Sequence, residues 1–176
     1  MTNNWLLLTV LVIGCAGSRP PQSGTGAGGL APCPATPNCV SSLSTDARHA
    51  VAPLRYAGTA DAALQRLIEV IRGMKRSRIT TVQKRYLHAE FTSLIFRFVD
   101  DVEFLLDEDT KMIHVRSASR IGTSDLGVNR RRVEAIRSRF DSLQQREKIS
   151  PESGRSPWSP AARGNGSAAP RSRSPG

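Results

Sequence analysis

Between Tyr86 and Arg137 the chain reads YLHAEFTSLIFRFVDDVEFLLDEDTKMIHVRSASRIGTSDLGVNRRRVEAIR, and this block limits the possible folds more than any other stretch. Apolar and polar residues alternate with a period of two, the pattern of strands that turn one face to a core. In Tyr86–Thr92, Leu87, Ala89 and Phe91 share one face, with Tyr86, His88, Glu90 and Thr92 on the other. In Asp101–Asp107, Val102, Phe104 and Leu106 oppose Asp101, Glu103 and Leu105. In Lys111–Ala118, Ile113, Val115 and Ser117 oppose Met112, His114, Arg116 and Ala118. The last two segments form a hairpin, and the DEDT between them admits a two-residue or a four-residue loop. The shorter loop sets Asp101 against Arg116 and Glu103 against His114; the longer sets Glu103 against Arg116.

A short β-branched strand, Arg78–Gln83, precedes the block, and Ile95–Val99 fits either a strand or a bent connection. Two helices flank the strands. Thr59–Met74 places Ala60, Ala63, Leu64, Leu67, Ile68 and Ile71 on one stripe, with Thr59 as cap and Gly73 as stop. Asn129–Lys148 repeats Val133, Ile136, Phe140 and Leu143 at helical spacing, with Asn129 in the cap position. Helix, antiparallel strands, helix predicts an α+β fold: a two-layer sandwich, its sheet of about four strands covered by helices on one face.

The ends differ in composition. Leu6–Ile13 is an apolar run too short to span a bilayer and suited to a signal-peptide core. It closes on Val12-Ile13-Gly14-Cys15, similar to a bacterial lipobox, so residues 1–14 are expected to be a lipoprotein leader and Cys15 the lipidated residue. Ala16 rather than Asp after the cysteine directs an enteric-type lipoprotein to the outer membrane. Residues 15–31 then read as a flexible tether, 32–148 as a single domain, and 149–176, rich in Ser, Pro and Arg, as a disordered tail. Cys33 and Cys39 enclose PATPN; in an oxidising envelope such a pair is expected to be a disulfide, and CxxxxxC is not a zinc spacing.

Charge narrows the partners without naming one. The chain of 176 residues carries a formal charge of +10. Its basic residues are interleaved with acids and accompanied by few aromatics, which argues against nucleic acid. A membrane reached through the lipid anchor, an anionic ligand or an envelope protein remain as partners. Arg130, Arg131 and Arg132 stand at the start of the last helix, where the macrodipole disfavours cations. Either they pair with carboxylates such as Asp125, Asp100 or Asp101, or Arg120, Asp125, Asn129 and Arg130 form an anion-binding set.

No GxSxG, P-loop, HExxH or paired CxxC is present, and neither a metal nor a cofactor is implied. The polar strand face is expected to be solvated. His88, Glu90, Glu103 and Arg116 on it are the candidates for catalysis, if there is any. The expected function is therefore a non-catalytic binding domain on a periplasm-facing envelope lipoprotein. The alternative is an enzyme that uses the His/Glu/Arg centre on an anionic envelope substrate.

The runs CPATPNCVSS, PLRY, YLHAEFTSLIFRFVDDVEFLLD and IHVRSASRIGTSDLGVNRRRVEAIR resemble the family catalogued as domain of unknown function 1499, over about Cys33–Phe140. That resemblance implies one small domain, often behind an export signal, in bacterial envelope or plastid proteins. It implies no reaction and supplies no catalytic residues.

Overall fold

The computed structural model describes residues 29–94 and 97–149. The leader, Cys15, most of the tether and the tail from residue 150 lie outside the described residues. The elements in chain order are β1 (Cys39–Ser41), β2 (Leu54–Arg55), α1 (Ala60–Arg72), β3 (Ser77–Gln83), β4 (Tyr86–Thr92), β5 (Val99–Asp107), β6 (Met112–Ser119) and α2 (Val128–Ile149). The strands form one antiparallel sheet in the order β1-β6-β5-β4-β3, with β2 also pairing β6. Among the described residues the sheet has six strands in place of the expected four. The two extra ones hold three and two residues, too short for any periodicity, and exist only because β6 offers its outer edge.

The alternation within the block sets the core. Leu87, Ala89, Phe91, Val102, Phe104, Leu106, Ile113 and Val115 are all buried in one cluster with Leu64, Leu67 and Ile71 of α1 and Val133, Ile136 and Phe140 of α2. Thr59 caps α1, its hydroxyl accepting from the Ala62 amide at 3.2 Å, and Gly73 ends it. Arg66 stands on the buried stripe of α1 because its guanidinium lies 5.2 Å from the Phe140 ring centroid and pairs with Glu147. The Cys33–Cys39 disulfide is formed, fixing the incoming chain to the first residue of β1.

Two local details set how side chains on the polar sheet face meet. The β5–β6 hairpin takes the longer loop, with Asp107 opposite Met112 and Glu103 opposite Arg116. The Asp107 carboxylate accepts from the amides of Asp109 and Thr110, and Lys111 takes the left-handed conformation that closes the turn. In β3 the register with β4 shifts between Ile79 and Thr81, leaving Thr80 as the residue of a bulge.

Candidate functional site

The sheet face opposite the core carries Tyr86, His88 and Glu90 from β4, Asp101 and Glu103 from β5, and Arg116 from β6, with Arg120 just beyond. Rather than the expected solvated face, these side chains are buried: Asp101 and Glu103 are each 1% exposed, His88 4% and Arg116 7%. Charges survive at that depth only when paired, and here each acid has its cation. Alternation alone shows which residues share this face; the pairing across three strands depends on register.

One cluster centres on Asp101. Its carboxylate accepts from Arg120 through Nε at 2.8 Å and Nη2 at 2.7 Å, and from His88 Nε2 at 2.8 Å. Arg120 Nη2 also reaches Glu90 at 2.6 Å, and Arg78 closes the other side of Glu90 at 2.7 Å. Burial pushes Asp101 up, but the Arg120 and His88 hydrogen bonds outweigh it and hold its pKa down at about 2. Glu90 is lowered in the same way, Arg78 and Arg120 overcoming its burial. Arg120 is raised by its bond to Asp101, so it stays a cation at any working pH.

On its far side His88 meets the bulged residue: Thr80 Oγ1 lies 2.7 Å from His88 Nδ1. An ionised Asp101 accepts only, so His88 Nε2 donates to it, while Thr80 Oγ1 lies within hydrogen-bond reach of both His88 Nδ1 and, at 3.2 Å, the His88 carbonyl. A hydroxyl–imidazole–carboxylate chain results. Sequence reading missed Thr80 and Arg78, because β3 shows no alternation that separates its two faces.

A second cluster joins Glu103 to Arg116 at 3.0 Å and to the Tyr86 hydroxyl at 2.8 Å. Burial and the Glu103 carboxylate push the Tyr86 phenol far up, so it remains a hydrogen-bond donor. Arg116 Nε is buried and has no hydrogen-bond partner among the described residues. Thus His88, Glu90, Glu103 and Arg116 share one face, while the direct partner of His88 is Asp101.

Of the four residues expected to bind an anion, Asp125, Asn129 and Arg130 are neighbours at the start of α2, while the Arg120 side chain turns to the other sheet face. Asn129 lies across the sheet from it, between β6 and α2. Asn129 is not the cap of α2. It is fully buried inside the helix, accepting from Ser117 at 2.6 Å and Arg132 at 2.5 Å and donating to the Asn38 carbonyl and Ser119 at 3.0 Å each. Capping falls to Asp125, which accepts from the amides of Gly127 at 2.9 Å and Asn129 at 2.7 Å. Arg130 donates to the carbonyls of Ala50 and Arg48, and Arg131 to that of Leu126. Arg132 pairs with Asp100 and lies 4.9 Å from the Phe91 ring centroid.

A cleft of about 500 Å³ lies beside the disulfide, between Leu30–Ala35 and the 43–49 loop. Its polar groups are engaged locally: His49 Nδ1 donates to the Cys39 carbonyl at 2.8 Å, and Asp46 pairs with Arg48. Among the described residues no group of three or more His, Cys, Asp or Glu is placed to hold a metal ion, and no helix is long and apolar enough to cross a membrane.

An α+β domain with a buried, charge-paired sheet face is what the fold and geometry define. The chain belongs to the family described as Protein of unknown function (DUF1499), whose sequence model matches residues 29–140. Neither a curated protein nor a solved structure matches it.

Proposed function

We propose that this chain is a lipid-anchored envelope protein, acylated at Cys15 and facing the periplasm, whose domain binds an anionic ligand through Arg116 without catalysing a reaction. What supports the binding reading is the buried Arg116 Nε, which has no hydrogen-bond partner among the described residues. The Nε edge of a guanidinium is one side of the fork that grips a carboxylate or phosphate. The paired state of the neighbouring acids supports a non-catalytic role, since an acid held by arginine is a poor general base.

Thermal melts of the full chain with phosphate or citrate, against chloride at equal ionic strength, test the binding. Anions should raise Tm in the native chain and leave Arg116→Lys unmoved, since lysine keeps the charge and loses the fork. No anion effect, or an equal one in the variant, rejects the site. For the anchor, a fatty-acid analogue should label the native chain and not Cys15→Ser; label that ignores Cys15 rejects it.

One observation favours an enzyme instead: the Thr80–His88–Asp101 chain has a hydroxyl on a base oriented by a carboxylate, the arrangement of an activated nucleophile. A fluorophosphonate probe that labels the native chain and not Thr80→Ala would establish that reading. Absence of label from the native chain removes it.

A further inference from the structure

We infer that the cleft beside the disulfide and the free edge of Arg116 form one site, and that its ligand is a small apolar carboxylic acid. This inference rests on the reading that Arg116 binds an anion, and it names the class of that anion. The arginine fixes the head of the ligand. Arg116 is 7% exposed, spends Nη1 on Glu103 at 3.0 Å and makes no other hydrogen bond among the described residues. The Nε–Nη2 edge that remains is one side of the guanidinium fork, and it takes a planar carboxylate through two parallel bonds. One monovalent group fills that edge. Glu103 already draws on the same cation, which limits the charge the site can hold.

The register of the sheet puts the cleft next to that edge. Ser41 of β1 lies directly opposite Arg116 of β6, and Cys39 opposite Ala118. Residues so paired in an antiparallel sheet hold their Cβ atoms about 5 Å apart on one face. Ser41 and Cys39 therefore belong to the polar face, with Arg116. Cys39 is bonded to Cys33, which fastens the 30–35 segment over this face at the β1 edge. Ser41 and Cys33 both line the cleft of about 500 Å³. Ser41 is 2% exposed, and its Oγ accepts from the Leu43 amide at 3.2 Å, which leaves its proton to donate. A hydroxyl and a guanidinium on adjacent strands thus serve one carboxylate.

The rest of the cleft suits the body of such an acid. Leu30, Pro32, Pro34, Ala35 and Leu43 line it together with the disulfide. Its volume falls in the range of small-molecule sites, about 300–1,000 Å³, and apolar walls with a few placed polar groups are their usual make-up. Leu43, in the loop after β1, is 48% exposed. Covering such a side chain with an alkyl chain removes apolar area from water on both partners.

The charged groups of the cleft offset one another. Asp46 opposes an anion, but Arg48 binds it through Nη2 at 2.9 Å and through its amide at 3.0 Å, and holds its carboxyl below the usual range. His49, also in the wall, gives its Nδ1 proton to the Cys39 carbonyl at 2.8 Å. An Asp–Arg pair of no net charge neither draws nor bars the ligand. Apolar contact and the Arg116 edge decide what binds.

Titration calorimetry of the full chain tests this with acetate, butanoate, hexanoate, octanoate and octanol. The chain carries Cys15→Ser, so that no acyl group of its own competes for the cleft. Affinity should rise by up to about fourfold for each added methylene. Octanoate should bind about tenfold or more tightly than octanol, the worth of a charge-assisted bond. Arg116→Lys should bring octanoate down to the level of octanol. Leu43→Asp, a change at an exposed loop side chain, should flatten the chain-length series and leave acetate as it was. If octanoate binds no better than acetate, or Leu43→Asp alters nothing, the inference falls and Arg116 keeps a simple anion site. If octanoate binding survives Arg116→Lys, or no acid binds at all, the inference and the Arg116 reading fall together.

Discussion

Replacing Arg120 by methionine keeps the length of the side chain and removes its charge. The structure fixes the consequence. Arg120 makes two hydrogen bonds to Asp101 and one to Glu90. Glu90 keeps Arg78, whose side chain is 75% exposed, but Asp101 keeps only His88 and is 1% exposed. A carboxylate left at that depth without its cation costs about 3–5 kcal/mol, or roughly 10–20 °C in Tm for a domain of this size. Arg78→Ala, which removes a solvent-screened partner, should cost no more than about 1 kcal/mol.

The pH dependence separates this cause from a generic packing loss. Asp101 titrates at about 2 in the folded chain, below its ordinary value near 3.9 when unfolded. A depressed carboxyl stabilises the fold above its unfolded pKa, and that stability, roughly 2 kcal/mol, is lost as pH falls through the folded pKa. Without Arg120 the carboxyl titrates higher and sheds its charge sooner. The gap between native and Arg120→Met chains should therefore be widest near pH 7 and narrow toward pH 3, in urea unfolding followed by circular dichroism. Adding Asp101→Asn to Arg120→Met should recover part of the loss, because an amide needs no cation. A gap that is constant with pH, or a double variant weaker than Arg120→Met alone, would refute the electrostatic account.

Other substitutions should read out separate parts of the fold. Asn129→Ala removes hydrogen bonds to Ser117, Arg132, Ser119 and the Asn38 carbonyl, of which the carbonyl keeps the Ser119 amide and the Ser117 oxygen keeps Arg132, and should cost about 1–3 kcal/mol in the same unfolding assay. Asp125→Ala removes the cap of α2 and should cost about 1 kcal/mol, with earlier hydrogen exchange at Gly127 and Asn129 as the local signature. Reducing Cys33–Cys39 opens a short loop and should cost about 2 kcal/mol in denaturant; no shift in the midpoint would mean that the segment before β1 adds nothing to the fold.

Much of this architecture is legible in the sequence, and the exceptions share a cause. The eight strand residues assigned to the core are buried because alternation with period two survives any register. Thr59 and Gly73 bracket α1 as their types suggest. The features that alternation and residue type do not reveal depend on contacts distant in sequence. β1 and β2 are defined by the free edge of β6, and the DEDT turn admits either register until Asp107 accepts the Asp109 and Thr110 amides. Asn129 has the residue type of a cap but lies inside the helix, because Asp125 reaches the amide of Asn129 itself. The polar face looks solvated in the sequence for the same reason: an alternating Asp, Glu and His pattern is the same whether water or arginine answers it. Arg78 and Arg120 come from outside the alternating segments that carry the acids.

The three arginines at the start of α2 show how one local conflict organises a region. Cations there oppose the helix macrodipole, a penalty of a few tenths to about 1 kcal/mol each when exposed. Asp125 offsets it by placing a carboxylate on the helix amides, and the three guanidinium groups are drawn away from the helix axis to acceptors elsewhere. Arg130 takes the 48–50 segment, Arg131 the carbonyl of Leu126, and Arg132 takes Asp100 at the start of β5. Asn129, between them, adds Asn38 and Ser117. One helical turn thus ties together the entry of the chain, the edge of the sheet and the loop that presents Leu126. Arginine suits this role where lysine would not, because its several donors in a fixed plane can hold two acceptors at once. The cluster that invites an anion-binding reading in the sequence is, in the folded chain, occupied by the protein's own acids and carbonyls. That leaves Arg116, on the other face, with a buried donor to offer.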